Sequence, residues 1–185
     1  QPRRLMYWPS TSKDGEFVFE QQEGEALDVD AVLATYRDWQ DVSEWPRGAK
    51  ERELVKHEAK RQGDPAQKPG LIGAFCRAYT IREAMEVFLP GVYEPCAWDD
   101  RMTFAEGSTS AGVVLYNDVF SYSHHATDPT GGQLCNAFDL VRLHRFGLMD
   151  GEATEDMPVN KRPSYVAMCD LAGADPMVRQ TLGEE

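Results

Sequence analysis

Gly107 to Gly147 reads GSTSAGVVLYNDVFSYSHHATDPTGGQLCNAFDLVRLHRFG, and how this stretch folds decides the rest. Two β-rich runs, Gly112-Val113-Val114-Leu115-Tyr116 and Val119-Phe120-Ser121-Tyr122-Ser123, are separated only by Asn117-Asp118. Asn and Asp tolerate the positive φ of a tight turn, so the pattern predicts a β-hairpin. With a two-residue turn, Leu115 is expected opposite Phe120 and Val113 opposite Tyr122. Val113, Leu115, Phe120, Tyr122 and His124 then share one buried face, and His125 points the other way, toward solvent or a ligand.

The loop from Ala126 to Gln133 carries Asp128-Pro129 and Gly131-Gly132, both turn formers, and leads into a helix. Asn136 is suited to cap that helix, with Asp139 near its positive end and Gly147 as its stop. Ala137, Leu140, Val141, His144 and Leu148 make one stripe expected to lie on the hairpin, and Arg142 and Arg145 are expected on the exposed side. Asp128 is expected to hold the Asp-Pro turn by accepting backbone N–H bonds.

Working outward, Leu71, Ile72, Phe75, Cys76 and Tyr79 suit one helical face, and Thr80-Ile81-Arg82-Glu83 is a capping box opening a second helix that Pro90-Gly91 ends. Arg101 to Phe104 reads as a further strand beside the hairpin. Upstream, residues 47–67 are highly charged and nearly free of large apolar side chains, which predicts a linker with partial helix; Arg52, Lys56 and Lys60 would align along it. Near the start, two short strands are expected around Ser12-Lys13-Asp14-Gly15. Asp28 should then cap a helix from Val29 to about Trp39 with Val32, Leu33 and Tyr36 inward, followed by an aromatic patch at Trp39, Val42, Trp45 and Pro46. Downstream, Ser164 is expected to cap a helix to Leu171, and Asp175-Pro176 to open a last short one.

The chain has 185 residues, 42% of them hydrophobic and 10% aromatic, enough for a folded core. No run approaches the roughly eighteen apolar residues of a membrane helix, and Gln1-Pro2-Arg3-Arg4 does not read as a signal peptide, so a cytoplasmic protein is expected. The net charge of −12 argues against a bulk electrostatic hold on nucleic acid. Residues 47–68 are the exception: seven basic and four acidic residues make a local +3, leaving −15 for the rest. The four cysteines, Cys76, Cys96, Cys135 and Cys169, form no close pair and are expected as free thiols.

The series Ile72 to Ile81, Gly107-Ser108-Thr109, Gly112-Val113-Val114, Tyr122-Ser123-His124-His125-Ala126-Thr127-Asp128-Pro129 and Asn136 to Gly147 resembles the middle region of phage and prophage primase-helicases of the virulence-associated E family. Arg3 to Phe19 and Tyr36-Arg37-Asp38-Trp39 resemble the end of the primase-polymerase lobe that precedes it. The resemblance implies an α+β fold, a β-hairpin with flanking short helices like a degenerate zinc-ribbon primase module, plus a small N-terminal strand and helix segment and C-terminal helices. The implied divisions are 1–46, the end of the primase-polymerase-like lobe; 47–67, the charged linker; 68–150, the helix-helix-hairpin-helix module; and 151–185, C-terminal helices.

What the resemblance implies for function is a non-catalytic accessory region in the bacterial host cell, partnered by DNA and by the primase and helicase domains of the same polypeptide. Its work would be to hold template or primer, or to dock primase on helicase. No GxxxxGK[ST] phosphate loop occurs here, so no cofactor is expected in this chain; ATP and Mg would belong to neighbouring domains. Candidate nucleic-acid contacts are Arg142, Arg145, Arg101, His125, Arg77, Lys56 and Lys60. Two other chemistries are open. His125, Cys135 and His144 could supply three zinc ligands if the loop folds back, although paired short spacings are absent. His125, Asn136 and His144 also occur in the order of an HNH-type nuclease, with a general-base His and a metal.

Overall fold

The chain is described by a computed structural model at residues 13–16, 20, 24–40, 49–154 and 156–183. It divides into two units, Gln1–Arg37 and Asp38–Glu185. In the first, Lys13, Asp14 and Gly15 make a turn; the strands expected around it lie outside the described residues. Helix α1, Val29–Leu33, is capped by Asp28, whose carboxylate accepts from Ala31 N at 3.0 Å. It stops short of Trp39 because the chain tightens into i to i+3 bonds, Thr35 N to Val32 O and Tyr36 N to Leu33 O. The expected inward stripe is not buried: α1 buries none of its residues, and Val32 is 41% exposed. Of the expected aromatic patch, Trp39 is exposed, and Val42, Trp45 and Pro46 lie outside the described residues.

The second unit is built on a five-stranded antiparallel sheet in sequence order, β1 Tyr93–Pro95, β2 Arg101–Phe104, β3 Val113–Tyr116, β4 Phe120–Ser123 and β5 Leu134–Asn136. The central hairpin departs from the expected register by one residue. Asn117 and Asp118 do take positive φ, 52° and 57°, and Val119 N closes the turn on Tyr116 O at 3.0 Å. Val119 is then left over, so Tyr116 pairs with Phe120, Val114 with Tyr122 and Val113 with Ser123. One extra residue in a strand exchanges the faces of everything beyond it. Val113 and Leu115 therefore join the main core with Tyr93, Met102, Phe104 and Cys135. Phe120 instead packs with Leu134, Tyr116 and Tyr122 in a second cluster on the opposite face.

The helices α3 (Gly70–Ala78), α4 (Ile81–Phe88) and α5 (Ala137–Phe146) supply the main core with Phe75, Ile81, Met85, Phe138, Leu140 and Val141. Helix α4 begins at the Thr80–Glu83 capping box. The hairpin turn docks on that same helix end: Ile81 N donates to Asp118 O at 3.1 Å and Arg82 N to Asp118 Oδ1 at 3.0 Å. Two amides that a helix start leaves unsatisfied are thus answered by a residue distant in sequence, Asp118.

Helix α2, Ala49–Gln62, occupies the stretch expected to be a linker. It packs on the sheet because Ala59 joins the Phe120 cluster and Gln62 Nε2 donates to Leu134 O at 2.8 Å, covering the β5 edge. Gly147 does not stop α5 with positive φ; at φ −55° it carries the chain into a 3-10 helix, Gly147–Glu152. The change of period removes Leu148 from the buried stripe and leaves it 99% exposed. Helix α6, Pro163–Ala174, is capped from outside: Ser164 is already helical, and Asp150 accepts from its N and Oγ. Asp175 caps α7, Pro176–Gly183, by accepting from Val178 N at 3.0 Å, and the same carboxylate accepts from Tyr79 Oη.

Candidate functional site

The loop between β4 and β5 folds its polar side chains back onto the helix side of the sheet. Asp128, with no exposed side-chain surface, sits at the centre. Its Oδ1 accepts from Thr130 N at 2.8 Å, Thr130 Oγ1 at 2.7 Å and the His144 ring at 3.2 Å, and its Oδ2 accepts from Tyr93 Oη at 3.0 Å. His144 Nε2 lies 2.6 Å from Tyr93 Oη. Because the Tyr93 proton goes to Asp128, the imidazole proton belongs on Nε2. Burial alone would raise the Asp128 pKa, but the bonds from His144 and Thr130 outweigh it and hold the carboxyl at about 2. Burial and the Asp128 charge together push Tyr93 well above the ordinary phenol range.

His125 has the opposite surroundings. It was expected to point outward, but the register change turns it inward, where it is 8% exposed beside Phe104. Its ring fills a slot that two glycines leave open: a Cβ on Gly112 would stand 2.2 Å from His125 Nε2, and one on Gly107 2.6 Å from Cε1. Nε2 is buried without a hydrogen-bond partner. Burial accordingly lowers the His125 pKa, against the smaller pull of Asp128. His124 takes the outward role, half-buried with its ring 5.1 Å from Tyr122.

This slot gives two expected results. Gly112→Ala should destabilise the protein by about 1–3 kcal/mol, the range for overpacking, while in a His125→Ala background the same change should cost much less. The linkage sign follows from the lowered pKa. The folded state binds the His125 proton more weakly than the unfolded chain, so the neutral ring's contribution is complete above the ordinary value of 6.5. It is lost as pH falls below that value toward the lower folded one. Urea midpoints between about pH 7.5 and 5.5 should therefore fall in the wild type and fall less in His125→Ala.

The remaining candidate positions separate clearly. Arg142 is not on an exposed face: it is 6% exposed, bonds Asp139 Oδ1 at 3.0 Å and Ser164 Oγ at 2.9 Å, and ties α5 to α6. The helix rotates that position toward α6, which the apolar stripe of α5 alone does not reveal. Arg101 is 4% exposed and donates to Ala111 O at 2.9 Å. Arg145 is exposed and donates to Phe88 O at the carbonyl end of α4; Arg77 is exposed and donates to Ala66 O. Asn136, fully buried, caps α5 by accepting from Asp139 N at 2.9 Å.

His125, Cys135 and His144 do not come together as a ligand set: among the described residues no three His, Cys, Asp or Glu side chains are grouped as metal ligands. Burial pushes the Cys135 thiol far up, away from the thiolate a metal requires. For the nuclease-like set, Asn136 and His144 are held by Asp139, Tyr93 and Asp128, and His125 is enclosed by glycines.

The other face of the sheet is the one α2 packs on, over buried Phe120 and Leu134. Tyr116, Tyr122 and Ala59 all pack on Phe120 and Leu134, so α2 runs beside two half-buried tyrosines. On α2, Lys56 and Lys60 flank Ala59 and are exposed, one turn apart, or about 6 Å along the axis. Charge alone singled out the lysines. The expected register placed Tyr122 on the face of Val113 and Leu115; the observed one places it on the opposite face with Tyr116.

A comparison with curated proteins and one with solved structures give no match. A family model described as the VapE N-terminal domain matches residues 1–48, ahead of the helices and sheet of the second unit. Over that segment the chain is similar to the N-terminal domain of VapE proteins.

Proposed function

We propose that this chain is a non-catalytic accessory part of a VapE-type, mobile-element DNA replication protein, and that its second unit holds nucleic acid beside the primase and helicase domains of the same polypeptide. The match over residues 1–48 and the resemblance of the Gly107–Gly147 stretch support the setting. The observation that carries the holding role is the exposed Lys56 and Lys60 pair on α2, in the basic segment of an acidic chain. The non-catalytic role is supported by the engagement of Asp128, His144, Tyr93 and Asn136 with one another and with backbone amides. Arg142 and Arg101 have no part in this reading.

The test is anisotropy binding of the whole chain to labelled DNA at several salt concentrations. Wild-type affinity should fall with salt, and Lys56→Ala/Lys60→Ala should weaken binding and lower the log–log salt slope by about 1.4 on a single strand, the value for two phosphate contacts. Absence of salt-sensitive binding would overturn the holding role. A second reading, docking between protein domains, is favoured by Leu148, 99% exposed, with Met149 beside it at 52%. Leu148→Asp should leave DNA binding unchanged and, on the docking reading, abolish association with the neighbouring domains.

A further inference from the structure

We infer that the cavity between α4 and the β1–β2 end of the sheet is a binding site for a small carboxylic acid with an aromatic body, its carboxylate held by Arg82. This site is separate from the holding role proposed above: none of its lining residues belongs to α2.

Arg82, Met85, Glu86 and Leu89 recur at i, i+3, i+4 and i+7 along α4 and its C-cap, so they form one stripe of the helix. On the sheet, Tyr93 pairs with Phe104 and Pro95 with Met102, which puts Tyr93, Pro95 and Met102 on one face. Together with Pro90 and Gly91 these residues line a cavity of about 490 Å³. Met85, Leu89, Tyr93 and Met102 are buried, and Tyr93 Oη is already engaged by Asp128 and His144. The floor therefore offers apolar surface. Mainly apolar walls with a few charged groups, at this volume, are the build of a small-molecule site.

The cation on the wall sets the ligand's charge. Arg82 is half-buried, and among the described residues its guanidinium contacts Met102 Sδ, at 3.5 Å. A thioether is a weak acceptor, so most of the five N–H donors remain for a ligand or water. The nearby carboxylates do not neutralise them. Asp118 Oδ1 is turned to the main chain, where it accepts from Arg82 N at 3.0 Å. Glu86, one turn further on, is exposed and makes no ion pair with Arg82, and an Arg placed N-terminal to its Glu runs against the helix dipole. A half-buried cation without a counter-charge is costly, and a planar carboxylate can accept two parallel N–H bonds from it. The bond from Arg82 N to Asp118 fixes the start of the stem, which reduces the ordering that binding requires. The walls choose the body: the sulfurs of Met85 and Met102 favour aromatic rings.

The experiment titrates the isotope-labelled whole chain with naphthoate, naphthamide and acetate at moderate salt and follows backbone amide shifts by NMR. Naphthoate should shift the amides of Arg82 to Leu89, Gly91, Tyr93 and Met102 and bind about tenfold tighter than the uncharged naphthamide, as charge-assisted hydrogen bonds require. Acetate, which has the charge without the body, should leave these amides in place at the same concentration. Arg82→Met, which keeps an unbranched apolar stem, should bring naphthoate down to the naphthamide level, and Arg82→Lys, a point charge without the paired N–H geometry, should keep part of the preference. Absence of naphthoate binding, equal affinity of naphthoate and naphthamide for the wild type, an unchanged preference in Arg82→Met, or shifts confined to residues outside the cavity would each overturn the site. The salt dependence of DNA binding in Lys56→Ala/Lys60→Ala does not depend on these outcomes, so either proposal can fail alone.

Discussion

Asp128→Ala is expected to lower the unfolding free energy by about 3–5 kcal/mol, because it strands several buried donors at about 1–3 kcal/mol for each group left without an acceptor. Asp128 accepts four bonds, and without it Tyr93 Oη, the His144 ring N–H and the Thr130 amide and hydroxyl lose their acceptor. For a chain of this length the thermal midpoint should drop by roughly 10 °C. The acid limb provides an independent readout. With its pKa held at about 2 in the folded protein against an ordinary value of 3.8, Asp128 contributes stability that is complete above the ordinary value. That contribution, about 2 kcal/mol, is lost as pH falls through the window between the two values. Urea titrations should show this loss in the wild type and its absence in Asp128→Ala. An acid limb identical in both proteins would contradict the network.

Gly73→Ala should be of comparable severity for a different reason. A Cβ at Gly73 would stand 1.6 Å from the carbonyl oxygen of Lys68 and 2.7 Å from its carbon. Those are main-chain atoms at the entry to α3, so no rotamer change relieves the clash, and α3 must shift within a core it shares with α5, α6 and α7. About 3 kcal/mol is expected, at the upper end of overpacking costs. Gly173 in α6 is the matched control: nothing lies within 4 Å of its Cβ position, and Gly173→Ala should stabilise by up to about 1 kcal/mol. Denaturant midpoints of the two variants should therefore move in opposite directions. Loss of stability in both would mean that backbone proximity is not what selects glycine at residue 73.

The positions of these two glycines show what kind of signal a sequence transmits. Gly73 lies in an apolar helical run, and Gly112 at the head of a β-rich one. Nothing local distinguishes a glycine that must be there from one that is tolerated. The requirement comes from Lys68 O in one case and from the His125 ring in the other, both placed by chain folding. The capping signals behave differently. Thr80 and Glu83, Asn136 and Asp139, and Asp175 ahead of Pro176 act within three residues of themselves, and each takes the geometry its chemistry prescribes. Asp118 is intermediate. Its turn-forming tendency is local, but its second role, closing the start of α4, depends on where the hairpin tip arrives.

By itself, then, the sequence determined the elements whose cause is local: the hairpin at Asn117-Asp118, the helix behind Asn136, the capped start of α4, and the concentration of positive charge between Arg47 and Lys68. Tertiary structure decided which face each residue occupies. Side chains on a strand alternate, so one residue left over at Val119 moved Phe120 and Tyr122 to the face that α2 packs on and brought His125 to the other, and no count of β-formers registers such a slip. It also decided which charges are available. Arg142 and Arg101 resemble Lys56 and Lys60 in sequence, but the first two have acceptors that folding brings from Ser164 and Ala111, whereas the lysines remain at the surface.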